Sequence, residues 1–553
     1  MGSHAASQPD YDIIVLGYGS AGANAALQAA YVGAKVVIIE KAERGGGNSF
    51  VSSANMTVPI DFYPTDKPDG AAFARYLHEV AQGTTPPKVI DAFVQGEYEM
   101  FAWIRSLGGE FEENKVERMW TYYIPPLTFP KLETAKGLDL KIYHVKQTER
   151  CPAPTAGRRV WELLDSHITK HEKITVRTST NVLSIDKDLS SNTITGVTLK
   201  TGERITAKAV IMACGGFENN EGMKRDLLGP RRIGLLGSPN NAGDSVRLAR
   251  KVGAELWHLT AEASVLGFVP PGETCGFALA LRQPGFIIVN RDGRRFFNET
   301  KLESHRGHSD TAAVDPELGT YKNDPMWLIM DSANIESDKT PVLEIFSHKI
   351  VVEGYKWSRH SEEEIKKGWV RKAGSVAELA EQLQLDGDAL ARSIDDYNAQ
   401  TGAEADSFGR TRDSMQPLRA PFYAMQITPL LYNTQGGPRR NEKAEIMDPD
   451  GGAIKGLYGA GECGSIWGHA YQSSTNFAET IVFGRIAGRE AARYCGLKEP
   501  KKGVPVGVEE QRGGKCLMNG GSKDGESAPA SIESERAWLG RNAYHIEATD
   551  RGK

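Results

Sequence analysis

A chain of 553 residues is longer than one compact core organises, so two domains with accessory segments are expected. Its 66 Lys and Arg are outnumbered by 71 Asp and Glu, for a net charge of -5; without a basic excess to attract phosphate backbones, nucleic acid is not an expected partner. Hydrophobic residues make up 40% and glycines number 59, which suits an α/β protein with many tight turns, and no apolar run reaches the length of a membrane span.

Met1 to Ser7 reads as the remnant of an expression tag, and the chain enters a strand at Tyr11 with no apolar signal region before it, so a cytoplasmic location is expected. Tyr11 to Leu16 is β-branched and apolar, Ser20 to Val32 is Ala-rich, and Lys35 to Ile39 is strand-like again, which together predict a βαβ unit. Helices are predicted over 70–108 and 157–171, the second carrying Val160, Leu163, Leu164 and Ile168 at helical spacing. From Ile174 to Ile211 short alternating strands follow, with turns at Ser191-Asn192 and Thr201-Gly202 and a last apolar run from Ala209 to Met212.

The stretch from Leu266 to Leu431 holds many Pro and Trp residues and two helical patterns, 362–368 and 375–400, and reads as an inserted domain. Gly456 to Gly461 reads as a buried strand running into a glycine turn, and Phe477 to Tyr494 as a helix with small residues. The tail from Lys498, rich in Gly, Lys, Ser and Glu, has little apolar periodicity. The expected organisation is a Rossmann-like α/β domain in two parts, 8–265 and 432–497, with an α+β capping or substrate domain at 266–431 and a poorly structured extension at 498–553.

The strongest local signal is Gly17-Tyr18-Gly19-Ser20-Ala21-Gly22, set between a predicted strand and a predicted helix and followed by Glu40 at the end of the second strand. Gly17 permits the tight turn, Gly19 lets the backbone approach a pyrophosphate at the helix N-terminus, Gly22 lets helix and strand pack closely, and Glu40 can accept hydrogen bonds from a ribose. FAD and NAD share this fingerprint. The following segment, Arg44-Gly45-Gly46-Gly47-Asn48-Ser49, begins to separate them, because it lays backbone N–H groups and short polar side chains along an extended ligand.

At this point the chain resembles the large flavoprotein family that contains fumarate reductases, tricarballylate dehydrogenases and 3-ketosteroid dehydrogenases. The resemblance is carried by Glu40-Lys41, by Gly46-Gly47-Asn48-Ser49 and by Ser52, the Ser near the isoalloxazine ring. It continues in Val210 to Phe217, where Cys214 replaces the usual Thr before Gly215-Gly216, and in Asn241-Ala242-Gly243-Asp244-Ser245. Gly456 to Glu462, including Gly461, matches the family's ribityl-binding strand, and Val482 to Gly488 its helix below the flavin. The resemblance implies FAD, further held by Asn476 and Phe477. Phe50 and Ser52 stand where a flavin-attaching His would be sought, so dissociable FAD is implied.

The six cysteines (Cys151, Cys214, Cys275, Cys463, Cys495 and Cys516) include no C-x-x-C, so ordinary thiols are expected, with no metal site, iron–sulfur cluster or haem. Any electron donor or acceptor is then external to the chain.

For the reaction, the resemblance places the site between the FAD domain and the cap. Gly293-Arg294-Arg295-Phe296-Phe297-Asn298-Glu299 is close to the family's Gly-x-Arg-Phe-x-Asn-Glu, but neither the Arg of fumarate reductases nor the Tyr of ketosteroid dehydrogenases follows at the same offset. The nearest polar candidates are His305, Arg306 and His308, in a loop of a kind that otherwise reads as solvated surface. Tyr432 to Arg439 resembles the Gly-Thr-x-Gly-Gly-Pro-Arg of ketosteroid dehydrogenases more than the His-containing segment of fumarate reductases. His469 to Phe477 lacks the Arg that clamps a dicarboxylate and offers Tyr471 in the slot of a ketone-binding Tyr, with Ser473 to assist or relay a proton. A phenol stays protonated at neutral pH and stabilises charge arriving on a carbonyl oxygen.

The expectation is hydride transfer between flavin N5 and a carbon β to a carbonyl, with Tyr471, Arg306, His308 and Ser473 as catalytic candidates and the direction open. The rival is reduction of an unsaturated carboxylate, with Arg306 as proton donor and Arg439 or His469 holding the acid. Trp120, Tyr122 and Tyr123 form an aromatic cluster that reads either as lining of an apolar substrate pocket or as core packing, the default expectation.

Overall fold

The structure, a computed structural model, describes residues 8–60, 70–115 and 119–498. The predicted tag remnant, Cys516 and all but the first residue of the predicted tail lie outside the described residues.

Apolar strands buried on both faces favour a parallel sheet covered by helices. Tyr11–Leu16 pairs in parallel with Val36–Ile39 on one side and with Arg204–Met212 on the other, and the sheet extends in parallel to Ile174–Arg177 and to Ala453–Gly459. Leu16 aligns with both Ile39 and Met212, and Met212 with Gly459, so the strands end level and their carboxyl ends open on one crevice. The helix Ser20–Tyr31 leaves Tyr11–Leu16 and packs against the last described helix, Asn476–Tyr494. A Cβ on Gly484 would meet the Ala21 carbonyl oxygen at 2.6 Å, and one on Gly488 the Ala25 carbonyl oxygen at 2.3 Å, so small residues set this close helix contact.

A second, mainly antiparallel sheet is built around the 13-residue strand Phe422–Thr434, with Glu262–Phe268 on one side and Met326–Met330 on the other. Phe268, Phe277, Phe286, Leu328 and Met425 fill the core on one face of it. The fold is thus α/β, with a Rossmann-like parallel sheet and an additional sheet between its two sequence halves.

The predicted helix over 70–108 is two helices, Ala71–Ala81 and Pro87–Ser106, because Gln82 takes a left-handed conformation, Gly83 follows it, and Pro86 cannot continue a helix. The pattern over 375–400 divides likewise into Val376–Leu383 and Gly387–Gln400, where Gln384 turns left-handed and the Asp386 side chain caps the second helix.

The Asn298-Glu299 motif belongs to the scaffold. Glu299 is 2% exposed, accepts from Arg295 Nε at 2.8 Å and lies 3.3 Å from the fully buried Arg410, which also donates to the carbonyls of Pro284, Phe286 and Ser414. This buried ion cluster fixes the start of the loop that carries His305. Among the described residues no helix is long and apolar enough to cross a membrane.

Candidate active site

One cleft of roughly 1630 Å³, part of it open to solvent, begins at the carboxyl ends of the parallel strands and runs toward the second sheet. Gly17, Gly19, Ser20 and Ala21 form its floor, with Glu40, Lys41, Gly47, Asn48, Ser49 and Ser52 along one side. Gly215, Asp244, Gly461, Glu462, Asn476 and Phe477 complete the wall. Gly22 and Gly46 lie just behind: Gly22 packs under the Gly17 turn, and Gly46 N–H donates to the Tyr18 carbonyl at 2.8 Å.

The geometry explains the residue types. Gly17 has φ +101°, and a Cβ there would meet the Ala213 carbonyl oxygen at 2.4 Å. The Glu40 carboxylate accepts from Tyr18 N–H at 2.9 Å and Ala42 N–H at 2.8 Å, and Ser49 Oγ accepts from Ser20 N–H at 2.9 Å, which fixes the loops around the helix N-terminus. Lys41 pairs with Asp244 at 2.6 Å. Burial acts to raise the Asp244 carboxyl, but Lys41 and Arg247 hold it below the usual carboxylate range.

Asn48 ties the deeper wall together. Its Nδ2 donates to Glu218 at 2.8 Å, to Glu462 at 3.0 Å and to the Tyr432 carbonyl at 3.1 Å, while its Oδ1 accepts from Ser238 N–H at 2.7 Å. Glu218 also accepts from Asn241 at 2.6 Å and Glu462 from Asn433 at 2.9 Å. Burial and the neighbouring Glu218 push Glu462 up to about 8, and burial likewise raises Glu218. Glu218 escaped the sequence reading, although it directly follows Gly215-Gly216-Phe217.

The cleft suits FAD on its own chemistry: a glycine turn whose Cβ positions are filled by backbone, a helix N-terminus at its floor, and on its wall a buried Asn476 Oδ1 that has no hydrogen-bond partner among the described residues. Gly19, Ser20 and Ala21 would hold the pyrophosphate, Glu40 the adenosine ribose, and Gly461, Glu462 and Asn476 the ribityl and ring portion.

At the other end stand Tyr122, Tyr432, Tyr471 and His305. The Tyr471 hydroxyl accepts N–H from Thr475 at 3.1 Å and from Asn476 at 3.2 Å, at the start of the last helix. Burial holds its phenol above the usual value, so it remains a proton donor. The His305 ring lies 5.0 Å from that of Tyr471 and 5.2 Å from that of Tyr432. Tyr432 and Tyr122 touch through their hydroxyls at 3.4 Å. Of the expected aromatic cluster only Tyr122 faces the cleft; Trp120 packs on the second core and Tyr123 is exposed.

The other catalytic candidates divide. Ser473 is fully buried, with Oγ 3.2 Å from His305 Nδ1. Arg306 and His308 are not on the cleft wall. Backbone bonds from Ser264 N–H to the His305 carbonyl at 3.1 Å and from Gly307 N–H to the Ser264 carbonyl at 2.8 Å stitch the loop to the strand Glu262–Phe268, so that adjacent side chains point to opposite sides. Arg306 thereby pairs with Asp310 at 2.6 Å, half-exposed, and His308 is buried beside Arg231. Burial and the Arg231 charge push His308 down to about 4. Arg439 pairs with Glu255 at 3.0 Å, and His469 is exposed.

Comparison with known proteins agrees with this cradle. The family described as FAD binding domain matches residues 12–478, and the chain belongs to it. It is 27% identical over 509 residues to NADH:fumarate oxidoreductase of Klebsiella pneumoniae (strain 342), a match that covers 89% of this chain and 48% of that protein, so the chain spans about half of that relative's length. It is 25% identical over 576 residues to 3-oxosteroid 1-dehydrogenase of Mycobacterium tuberculosis (strain ATCC 25618 / H37Rv), covering 88% and 99% of the two chains. The 3-ketosteroid delta1-dehydrogenase of Sterolibacterium denitrificans has the same fold, with a TM-score of 0.71 at 20% identity over 87% of this chain and 99% of that one. The chain is thus an FAD-dependent oxidoreductase from the group that contains fumarate reductases and steroid dehydrogenases.

Proposed function

We propose that this enzyme transfers hydride at a carbon β to a carbonyl, in the manner of a 3-ketosteroid dehydrogenase, acting on a neutral ketone or enone held between the FAD-binding part and a cap formed by 266–431. The observation that carries this reading is the Tyr471 hydroxyl: it lines the cleft and accepts two backbone N–H bonds, which leaves its O–H as the group to be donated to a ligand there. A ketone oxygen placed there receives that O–H, and the two N–H groups behind it stabilise the phenol oxygen as charge moves onto the substrate. FAD, bound without a covalent link, supplies the hydride acceptor or donor. An external electron partner completes the cycle.

The wall around Tyr471 supports a neutral substrate. Among the described residues, the Lys and Arg side chains that line the cleft are Lys41, Arg44 and Arg247. The first and last are paired with Asp244, and Arg44 lies over the Phe50 ring at 5.5 Å. The carboxylate alternative would draw on Arg306, Arg439 or His469, none of which lines the cleft. Reoxidation of the photoreduced, FAD-loaded enzyme under anaerobic conditions distinguishes the two. A cyclic enone such as 2-cyclohexen-1-one or a 3-keto-1,4-diene steroid is expected to restore the oxidised flavin spectrum and fumarate is not; the reverse pattern sinks the reading.

A further inference from the structure

We propose that His305, oriented by Glu303, is the proton-transfer residue of this site, with Nε2 as the acting atom; the inference rests on the carbonyl reading above. His305 Nδ1 lies 2.8 Å from Glu303 Oε1, and Glu303 Oε2 accepts the His305 backbone N–H at 2.8 Å, so one carboxylate grips both ring and main chain. An ionised carboxylate only accepts hydrogen bonds, which places the ring proton on Nδ1 and the lone pair on Nε2. Ser473 Oγ stands 3.2 Å from the same Nδ1 and closes that side of the ring. Among the described residues Nε2 has no hydrogen-bond partner, and the ring lines the cleft 5.0 Å from that of Tyr471.

The titratable groups that face the ring are Glu303 from its own loop, Tyr432 from the long strand, with Tyr122 behind it, and Tyr471 from the segment before the last helix. Burial keeps all three phenols protonated, which makes them poor bases and leaves the imidazole Nε2 as the lone pair on this wall that can take a proton. For a ketone whose oxygen accepts the Tyr471 O–H, the α C–H bond breaks, its proton forms the Nε2–H bond, and its electron pair spreads onto the carbonyl oxygen as an enolate. The reverse step returns the proton to the same carbon, and the imidazolium otherwise loses it to solvent. Glu303 does not line the cleft and is a positioning residue; His305 is the catalytic one.

The test is exchange of the α-hydrogens of cyclohexanone with D2O, followed by NMR on the anaerobic FAD-loaded full-length protein, beside 15N NMR of the histidine-labelled protein. Exchange by the wild type is expected to fall about 10²- to 10⁴-fold in H305Q, with FAD content unchanged. E303Q is expected to lose less rate but to shift the pH profile of exchange and to weaken the Nδ1–H signature that the wild type shows at His305. Exchange that persists in H305Q while Y471F abolishes it overturns the assignment and leaves the carbonyl reading standing. A wild type whose flavin is reoxidised by fumarate and by no carbonyl compound removes both. Should cyclohexanone prove a poor probe, the tautomer still decides: a proton on Nε2 in place of Nδ1 overturns the inference.

Discussion

The Arg440 guanidinium is paired with the Glu479 carboxylate in the interior, at 0% and 1% side-chain exposure, with Arg440 also donating to the Gly461 carbonyl at 3.3 Å. Removing one partner leaves an uncompensated buried charge, which costs about 3–5 kcal/mol. Glu479→Ala is therefore expected to lower the melting temperature sharply and to loosen FAD through Gly461. Arg440→Met combined with Glu479→Leu should recover most of the loss, since nothing charged is then stranded. Equal stability of the single and double variants would count against the pair.

A second prediction concerns Gly22, where a Cβ would lie 2.0 Å from the Gly17 carbonyl oxygen and 3.3 Å from Val15 Cγ1. The obstacle is backbone and cannot rotate away. Gly22→Ala is expected to cost at least the ~1–3 kcal/mol typical of overpacking, and to reduce the FAD retained on purification, read from the flavin absorbance per protein. Full flavin content with an unchanged melting temperature would refute the tight-turn account.

Tyr471→Phe removes the donor but keeps the ring that packs on Trp467 at 5.8 Å between centroids. Loss of one oxyanion donor is worth on the order of 10²–10³ in kcat, and a decrease of that size in enone-dependent flavin turnover is expected. Two N–H groups at the last helix also lose their acceptor, at about 1 kcal/mol of stability. Wild-type turnover in this variant would remove Tyr471 from the chemistry.

The Glu218–Glu462 pair makes stability depend on pH. Glu462 is pushed up to about 8 against an ordinary 4.5, so between those values the folded protein binds more protons than the unfolded chain. Its contribution is complete below about pH 4.5 and is lost as pH rises through about 8. Melting temperatures of the FAD-loaded protein should decline over that window, by on the order of a few kcal/mol in free energy for this site. Glu462→Gln stays neutral and should flatten the decline; an unchanged slope would show that Glu462 does not take up a proton on folding.

Much of the cofactor cradle is legible in the sequence because it depends on local chemistry. The βαβ unit appears at Tyr11–Leu16, Ser20–Tyr31 and Val36–Ile39, and the final helix starts at Asn476, one residue from its expected start. Helical periodicity alone could not show the breaks at Gln82 and Gln384; Gly83 and Pro86 mark the first, and the cap Asp386 before Gly387 the second. The reactive end is less legible for a different reason. Which of His305, Arg306 and His308 faces the cleft depends on backbone bonds to Ser264, a residue forty positions away. Glu218 has its neighbour Glu462 more than two hundred residues downstream, bridged to it by Asn48.

The strand Phe422–Thr434 ends with three consecutive residues, of which Tyr432 and Asn433 line the cleft and Thr434 lies behind it. Tyr432 stands against His305, Asn433 donates to Glu462 at 2.9 Å, and Thr434 Oγ1 lies 3.2 Å from Glu218. Two residues on one side of a strand are separated by about 7 Å, so a ligand that displaces Tyr432 pulls on a rod whose next links are the buried carboxylates Glu462 and Glu218. Substrate occupancy and the electrostatic setting of the flavin pocket are in that sense one mechanical variable, read at two points along a single span of backbone.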